Sequence, residues 1–170
     1  KNWSAAEAEA RRIMALPDDK GVGAFQLARI MRSQGKNAEA VDAFTKALAK
    51  NPQWTLALEG MVDTLNAMGR KDEAMRKLQE FRAANPEDLS AKFLEGGVRA
   101  QSGDKAAAEK LFGEIVGAEP KASMAWVALA NLNENDPAAR IEAYKKGMAA
   151  NPGNAEIGML LGTEYEQARR

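Results

Sequence analysis

The stretch ALAKNPQWTLALEGM, residues 47–61, places an Asn-Pro step between two segments of good helix formers. Proline has no amide hydrogen and its ring clashes with the preceding helical turn, so one helix must end before Pro52 and another must begin after it. The same arrangement returns in AANPEDLSAKFLEGG, residues 83–97. The sequence therefore predicts helices that are separated by regular breaks.

These breaks recur with a fixed period. Pro52, Pro86 and Pro120 are 34 residues apart, and Pro152 follows after 32 residues. A glycine, which can close a helix in the left-handed conformation, lies 17 residues before each of the first three prolines. These glycines are Gly35, Gly69 and Gly103. The spacing predicts an internal repeat with two helices in each unit.

The composition narrows the classes of function. The chain of 170 residues carries 24 basic and 24 acidic side chains, so no strong field draws in nucleic acid, and we expect no nucleic-acid partner. It has no cysteine and no histidine, which removes thiolate ligands, the commonest zinc ligand and the usual general base near neutral pH. We therefore expect no enzyme, no cofactor and no metal site. The longest apolar stretch, residues 124–130, is far shorter than the roughly 20 residues of a membrane-spanning helix.

Small and large apolar residues recur at matching places in each unit. They are Leu27, Ala28, Met31, Ala40 and Phe44 in residues 21–54; Leu58, Val62, Leu65, Ala74 and Leu78 in residues 55–88; Gly96, Ala108 and Phe112 in residues 89–122; and Trp126, Ala130 and Tyr144 in residues 123–154. A helix-turn-helix unit of 34 residues with this pattern resembles the tetratricopeptide repeat.

The resemblance implies an all-α fold, a right-handed α-solenoid of antiparallel helix pairs in a single array over residues 1–170. The implied segments are the second helix of a partial repeat in 1–20, repeats in 21–54, 55–88 and 89–122, a shortened repeat in 123–154, and the first helix of a further repeat in 155–170. Each pair leaves an apolar side that only its neighbour covers. Small residues, among them Ala28, Ala40 and Gly162, let paired helices approach closely, and the first helices line a concave face.

One helix departs from the apolar pattern, because Lys92, Glu95 and Arg99 stand where the preceding unit has apolar residues. We expect this helix to rotate slightly and to pack through Leu94 and Val98. The alternative is a deliberately weak helix whose adjacent glycines form a hinge or admit a close ligand.

The shortened repeat predicts a second departure. The segment NENDP, residues 133–137, replaces the glycine turn, so we expect a tighter turn, and Arg140 in place of alanine should change how its helices pair. Two helix starts are also marked. Ser4 with Glu7 predicts a capping box, and Asp136 before Pro137 predicts a capping side chain.

For function, the resemblance implies a non-enzymatic protein–protein interaction scaffold that binds a peptide or a partner protein on the concave face. The family's inward-facing positions fall on both apolar and polar residues of this chain. The candidate partner-binding residues are Phe25, Arg29, Arg32, Leu56, Asp63, Asn66, Phe93, Gln101, Val127, Asn131 and Glu134. Carboxylates such as Asp63, Glu134 and Glu59 are expected to be solvated surface groups and not catalytic acids.

The alternative function is a structural spacer or self-association segment. Met159, Leu161 and Tyr165 give the last helix an apolar side that no second helix covers, so we expect association through the terminal helices. A weaker resemblance, to bacterial tetratricopeptide lipoproteins of exopolysaccharide and protein-sorting (PEP-CTERM type) systems, implies an envelope setting. The lack of cysteine fits a periplasmic or a cytoplasmic protein. The start at Lys1 indicates a fragment of a longer chain.

Overall fold

The computed structural model describes residues 2–168, which form ten α-helices and no strand. The helices are α1 (Trp3–Met14), α2 (Val22–Ser33), α3 (Asn37–Lys50), α4 (Thr55–Ala67), α5 (Lys71–Ala84), α6 (Leu89–Gln101), α7 (Lys105–Ala118), α8 (Ser123–Leu132), α9 (Pro137–Ala150) and α10 (Ala155–Ala168). The chain divides into two compact units, of which unit 1 ends at Ala91 and unit 2 begins at Lys92 within α6. None of the described helices is long and apolar enough to cross a membrane.

Each unit consists of neighbouring helices joined by short turns. In unit 1, α2 packs between α1 and α3, and α4 packs between α3 and α5. In unit 2, α8 packs between α7 and α9, and α10 packs on α9. The all-α class of antiparallel helix pairs is confirmed within each unit. Helix pairs fall inside the segments 21–54, 55–88, 89–122 and 123–154. That these segments form one array stays a prediction.

The three predicted glycine turns adopt a common geometry. Gly35, Gly69 and Gly103 have φ angles of 76°, 74° and 84°, in the left-handed region that favours glycine. In each turn the amide after the glycine donates to the carbonyl five residues earlier, as Lys36 N does to Met31 O at 2.9 Å. This is the Schellman arrangement, which satisfies carbonyls that the end of a helix leaves free. The glycines therefore end α2, α4 and α6 as predicted.

The Asn-Pro segments end second helices and also link successive repeats. The side chain of Asn85 donates to the Pro52 carbonyl oxygen at 3.2 Å, one repeat earlier in unit 1. In the same unit the Thr55 hydroxyl donates to Asp88 Oδ2 at 2.5 Å. In unit 2, Asn154 Nδ2 donates to the Ser123 hydroxyl oxygen at 2.6 Å. At Asn85-Pro86 the two residues thus have two roles, because the proline stops the helix and the asparagine side chain joins the turn to the one a repeat earlier.

The core of each unit follows the predicted alternation of small and large residues. Ala28, Ala40 and Ala74 are fully buried in unit 1, and Phe44 and Leu78 fill the space between the helices. The matching residues of unit 2 are also buried. They are Gly96, Ala108, Phe112, Ala130 and Tyr144. An alanine at such a position lets two helices approach closely, and an aromatic ring from the partner helix then fills the remaining volume.

Gly162 does not play the packing role that was predicted for it. It is exposed, and a Cβ added there would meet nothing within 4 Å. The corresponding Gly96 lies against the ring of Phe112 on the second helix of its own pair. No described side chain approaches Gly162 in this way, so nothing within residues 2–168 requires glycine at this position.

The predicted packing of α6 through Leu94 and Val98 holds in part, since Val98 is buried and Leu94 is half-buried, but a charged residue is buried beside them. Glu95 is buried, with 6% of its surface exposed, in the place that Met61 holds in α4. The Lys92 ammonium lies 2.9 Å from a carboxylate oxygen of Glu114 on α7, and Arg99 lies 3.3 Å from Glu95. The helix therefore keeps its register, because the long side chains place their charges against opposite charges and do not need to turn toward solvent.

The shortened repeat also differs from expectation. The connection between α8 and α9 contains four residues, 133–136, whereas the three glycine turns contain three, so the turn is not tighter. The missing residues come from α8, which has 10 residues. Arg140 forms an ion pair with the buried Glu164 on α10, and its predicted effect on how α8 and α9 pair stays a prediction. Burial beside this pair raises the pKa of the Tyr144 hydroxyl above its ordinary value.

The two predicted helix starts had different outcomes. Asp136 caps α9, because its side chain accepts a hydrogen bond from Ala139 N at 3.0 Å. The capping box of Ser4 and Glu7 was wrong. The side chain of Asn2 caps α1 by accepting from Ala5 N at 3.2 Å, and Ser4 lies inside the helix. Asparagine is as good a capping residue as serine, so the helix begins two residues earlier.

Candidate functional site

A pocket of about 180 Å³ opens in unit 1 between the first helices α2 and α4. Five of the predicted partner-binding residues line it. They are Phe25, Arg29, Arg32, Leu56 and Asp63. The sixth predicted residue of unit 1, Asn66, is half-buried on α4 and lies outside this lining. Five of the residues that the family resemblance implied are thus brought to one concavity by two consecutive first helices.

The floor of the pocket is aromatic. Phe25 is 8% exposed and packs against Trp54 at a ring-centroid distance of 4.5 Å and against Phe44 at 6.0 Å. Phe44 reaches the pocket from α3 because Gly60 has no side chain in its path, and a Cβ there would lie 2.4 Å from the ring. Phe25 therefore contributes a ring edge to a rigid floor and does not project as a free side chain.

The rim of the pocket carries charge on both walls. Arg29 and Arg32 come from α2, and Glu59 and Asp63 come from α4. Arg32 Nη1 lies 3.5 Å from Asp63 Oδ2, with both side chains about half exposed. The Arg29 guanidinium lies 5.9 Å from the centroid of the Phe25 ring, in cation–π geometry. Leu56, at 55% exposed, adds an apolar side chain beside these charges.

Three lining residues were not predicted as site residues, namely Phe44, Glu59 and Gly60. Gly60 carried a usable signal, because glycine inside a helix of good helix formers indicates that something approaches its backbone. Phe44 was correctly predicted to fill the core, and its second role at the pocket floor has no separate sequence signal. Glu59 was interpreted only as a solvated carboxylate.

The predicted residues of unit 2 are in different surroundings. Phe93 is half-buried and packs against Phe112 at a centroid distance of 5.3 Å. Val127 is half-buried against the cluster of Ala130, Tyr144 and Ile157. Gln101, Asn131 and Glu134 are exposed, and Glu134 lies 3.8 Å from the Lys105 ammonium. The two apolar members are therefore mainly packing residues, whereas the three polar members are accessible.

A second concavity in unit 1 lies between the second helices α3 and α5. Its volume is about 320 Å³, and its walls are mainly apolar, with the buried side chains of Leu58, Met61 and Phe81 at its base. Ala49 and Ala84 line its mouth. Lys77 and Glu80, which pair at 3.1 Å, also line it. A substitution in this second concavity can therefore serve as a control for a substitution in the first-helix pocket.

Neither unit shows a cluster suited to metal binding. No group of acidic side chains among residues 2–168 could hold a metal ion. The carboxylates considered at the sequence level differ in their surroundings, since Asp63 and Glu134 have basic partners and Glu59 stands at the rim of the pocket.

Residues 31–94, which include α3, α4 and α5, match the sequence model of the tetratricopeptide repeat. This segment of the chain carries tetratricopeptide repeat sequence. The resemblance predicted from the spacing of proline, glycine and apolar residues is thereby confirmed. All the lining residues of the first-helix pocket except Phe25 and Arg29 fall inside the matched segment, so this pocket lies largely within recognised tetratricopeptide sequence.

Solved tetratricopeptide structures share the fold over most of the chain. A thermophilic protein of Thermus thermophilus is 18% identical with a TM-score of 0.70, over 96% of this chain and 90% of that one. PilF of Pseudomonas aeruginosa is 19% identical with a TM-score of 0.67, over 99% and 79%. YrrB, described as having an unusual peptide-binding site, is 17% identical with a TM-score of 0.64, over 95% and 84%. No curated protein sequence matches the chain.

Proposed function

We propose that this chain is a non-enzymatic scaffold whose unit 1 binds an extended peptide segment of a partner protein in the pocket between α2 and α4. The observation that supports the proposal is that five residues at the family's inward-facing positions line one concavity with an aromatic floor and a charged rim. Such a site suits a peptide, because apolar side chains anchor in the floor and charges at the rim fix orientation. The solved structure of YrrB, which has the same fold, is described as holding a peptide-binding site.

The pocket test uses a library of random peptides displayed on phage and selected against the whole chain. Leu56→Asp should weaken the selected peptides by about tenfold or more, since it removes apolar contact and places a carboxylate in the pocket, and tenfold is about 1.4 kcal/mol. Leu56 is 55% exposed, so the variant should fold. The affinities are measured by calorimetry, and the fold is checked by circular dichroism.

The matched control is Ala49→Asp, which adds the same charge at the mouth of the second concavity. It should leave peptide affinity unchanged within about twofold. If Ala49→Asp abolishes binding while Leu56→Asp does not, the ligand lies between the second helices and the assignment to the first-helix pocket is wrong.

A second candidate function, self-association through α10, is favoured by one observation in unit 2. Met159 is 69% exposed and Tyr165 is 43% exposed on α10, whereas Leu161 packs against the core cluster. Met159→Lys should therefore lower any concentration-dependent association in sedimentation equilibrium, by about tenfold in dissociation constant, because it places a charge in an apolar contact. Unchanged association in this variant, or a monomer at every concentration, would remove this candidate. An envelope setting stays a prediction.

A further inference from the structure

The charges around the first-helix pocket are sorted by wall. The α2 wall presents the cations Arg29 and Arg32, and the α4 wall presents the anions Glu59 and Asp63. Arg32 and Asp63 face each other across the pocket as a half-exposed ion pair at 3.5 Å. The other two charges, Arg29 on one wall and Glu59 on the other, have no such partner in the pocket and are available to a ligand.

The guanidinium of Arg29 is positioned where it can bind a carboxylate. Its guanidinium rests over the ring of Phe25, which is itself fixed between Trp54 and Phe44. Within residues 2–168, Arg29 forms no ion pair and its side chain is exposed. An arginine positioned by an aromatic ring keeps its planar set of N–H donors free, and a carboxylate can accept two of them at once.

Glu59 is the counterpart on the opposite wall. It is exposed on α4, three residues after Leu56 and four before Asp63, so all three side chains share one side of the helix. Across the described part of the chain it has no basic partner within ion-pairing distance, even though Arg29 lines the same pocket. The space between these two opposite charges is lined by Phe25, Phe44 and Leu56.

We infer that the pocket selects a peptide segment in which an apolar side chain lies between an acidic and a basic residue. The acidic residue binds Arg29, the apolar side chain enters over the aromatic floor beside Leu56, and the basic residue binds Glu59. This inference rests on the proposed function and adds the chemistry of the partner. A segment with only one kind of charge leaves either Arg29 or Glu59 facing a neutral group or a like charge.

The experiment uses four peptides with acetylated and amidated ends: Ala-Asp-Leu-Lys-Ala, Ala-Asp-Leu-Gln-Ala, Ala-Asn-Leu-Lys-Ala and Ala-Asn-Leu-Gln-Ala. Affinities come from NMR titration of the whole chain up to about 10 mM peptide, which covers dissociation constants in the millimolar range, equivalent to about 4 kcal/mol of binding. The indole N–H of Trp54 and the amides of α2 and α4 report on the pocket, because Trp54 stacks on Phe25.

The doubly charged peptide should bind about tenfold more tightly than the neutral one. Each charge should contribute about threefold, which is within the range of a single exposed ion pair. Arg29→Gln should remove the advantage of the aspartate and leave that of the lysine. Glu59→Gln should do the reverse. Lys46→Gln, which removes an exposed cation of α3, is the matched control and should change neither advantage.

The outcomes separate the inference from the function on which it rests. If all four peptides shift the pocket resonances with equal affinity, and Leu56→Asp still weakens them, the pocket binds peptides but the charge assignment is wrong. If none of the four shifts these resonances at about 10 mM, a concentration that detects binding of about 4 kcal/mol, both the proposed pocket and its charge preference are overturned. A loss of the aspartate advantage in Lys46→Gln would also overturn the role of Arg29.

Discussion

Replacing Gly23 with alanine is expected to lower the free energy of unfolding of unit 1 by about 1–3 kcal/mol, the usual range for overpacking. Gly23 lies in the first turn of α2, where its backbone contacts α1. A Cβ at this position would lie 2.5 Å from Met14 N and 2.7 Å from Ala10 O. Both atoms belong to the backbone of α1, so no side-chain rotation relieves the clash and the whole helix must shift.

The change should act locally, because α1 is held to the rest of unit 1 through α2. Once the strain exceeds the free energy that holds α1 in place, α1 separates and the remaining helices keep their structure. Amide hydrogen exchange should therefore show lost protection in residues 3–14, with α3 and α4 little affected. Urea unfolding followed by circular dichroism gives the change in stability.

Gly113→Ala is the matched control. Gly113 is exposed in the middle of α7, and a Cβ added there would meet nothing within 4 Å. Alanine is the better helix former by about 1 kcal/mol, so this variant should be slightly more stable than the parent. If Gly23→Ala is as stable as Gly113→Ala, the close contact between α1 and α2 is absent in solution.

The positions of the helices could be predicted from the sequence because their ends are marked by local chemistry. Proline prevents the helix that precedes it from continuing. Gly35, Gly69 and Gly103 tolerate a positive φ, which their neighbours do not. These effects depend on one or two residues and need no knowledge of the tertiary structure. The start of α1 was placed wrongly because two capping residues, Asn2 and Ser4, stand close together.

The candidate site could be predicted only in part. The family's inward positions gave the pocket residues of α2 and α4, because a first helix presents the same side in each repeat. The pattern could not distinguish an accessible side chain from a packed one, so Phe93 and Val127 were included although both pack against their own unit. That distinction depends on contacts between distant residues, which spacing along one helix does not contain.

The charges of α6 were misinterpreted for a related reason. Charged residues in apolar repeat positions were expected to make α6 rotate slightly, since burying an unpaired charge is costly. The structure pairs these charges instead, with Glu95 buried against Arg99 and with Lys92 reaching Glu114 on α7. The partner of Lys92 lies on another helix, so periodicity within α6 could not reveal it.

Substituting the apolar residues of α4 into α6 should therefore stabilise unit 2. The triple variant Lys92→Leu, Glu95→Met and Arg99→Leu is expected to raise the free energy of unfolding by about 1–4 kcal/mol, because buried ion pairs rarely repay their desolvation as well as apolar contacts do. The equivalent residues Leu58, Met61 and Leu65 are almost fully buried, which shows that these side chains fit such positions. Urea unfolding followed by circular dichroism is the measurement, with the NMR signal of the Trp126 indole N–H as a probe that lies in unit 2.

A single substitution should not reach the stability of the triple variant. Glu95→Met alone leaves Arg99, whose side chain is 29% exposed, with Asp104 as its remaining carboxylate at 3.2 Å. It should therefore be less stable than the triple variant by more than about 1 kcal/mol, and the substitutions at positions 95 and 99 should not be additive because Glu95 and Arg99 are in contact. Equal stabilisation by Glu95→Met and by the triple variant would mean that the charges of α6 do not act as pairs. In that case the retained register of the helix would need another cause, because the ion pairs are what allow long charged side chains to occupy positions that elsewhere belong to leucine and methionine.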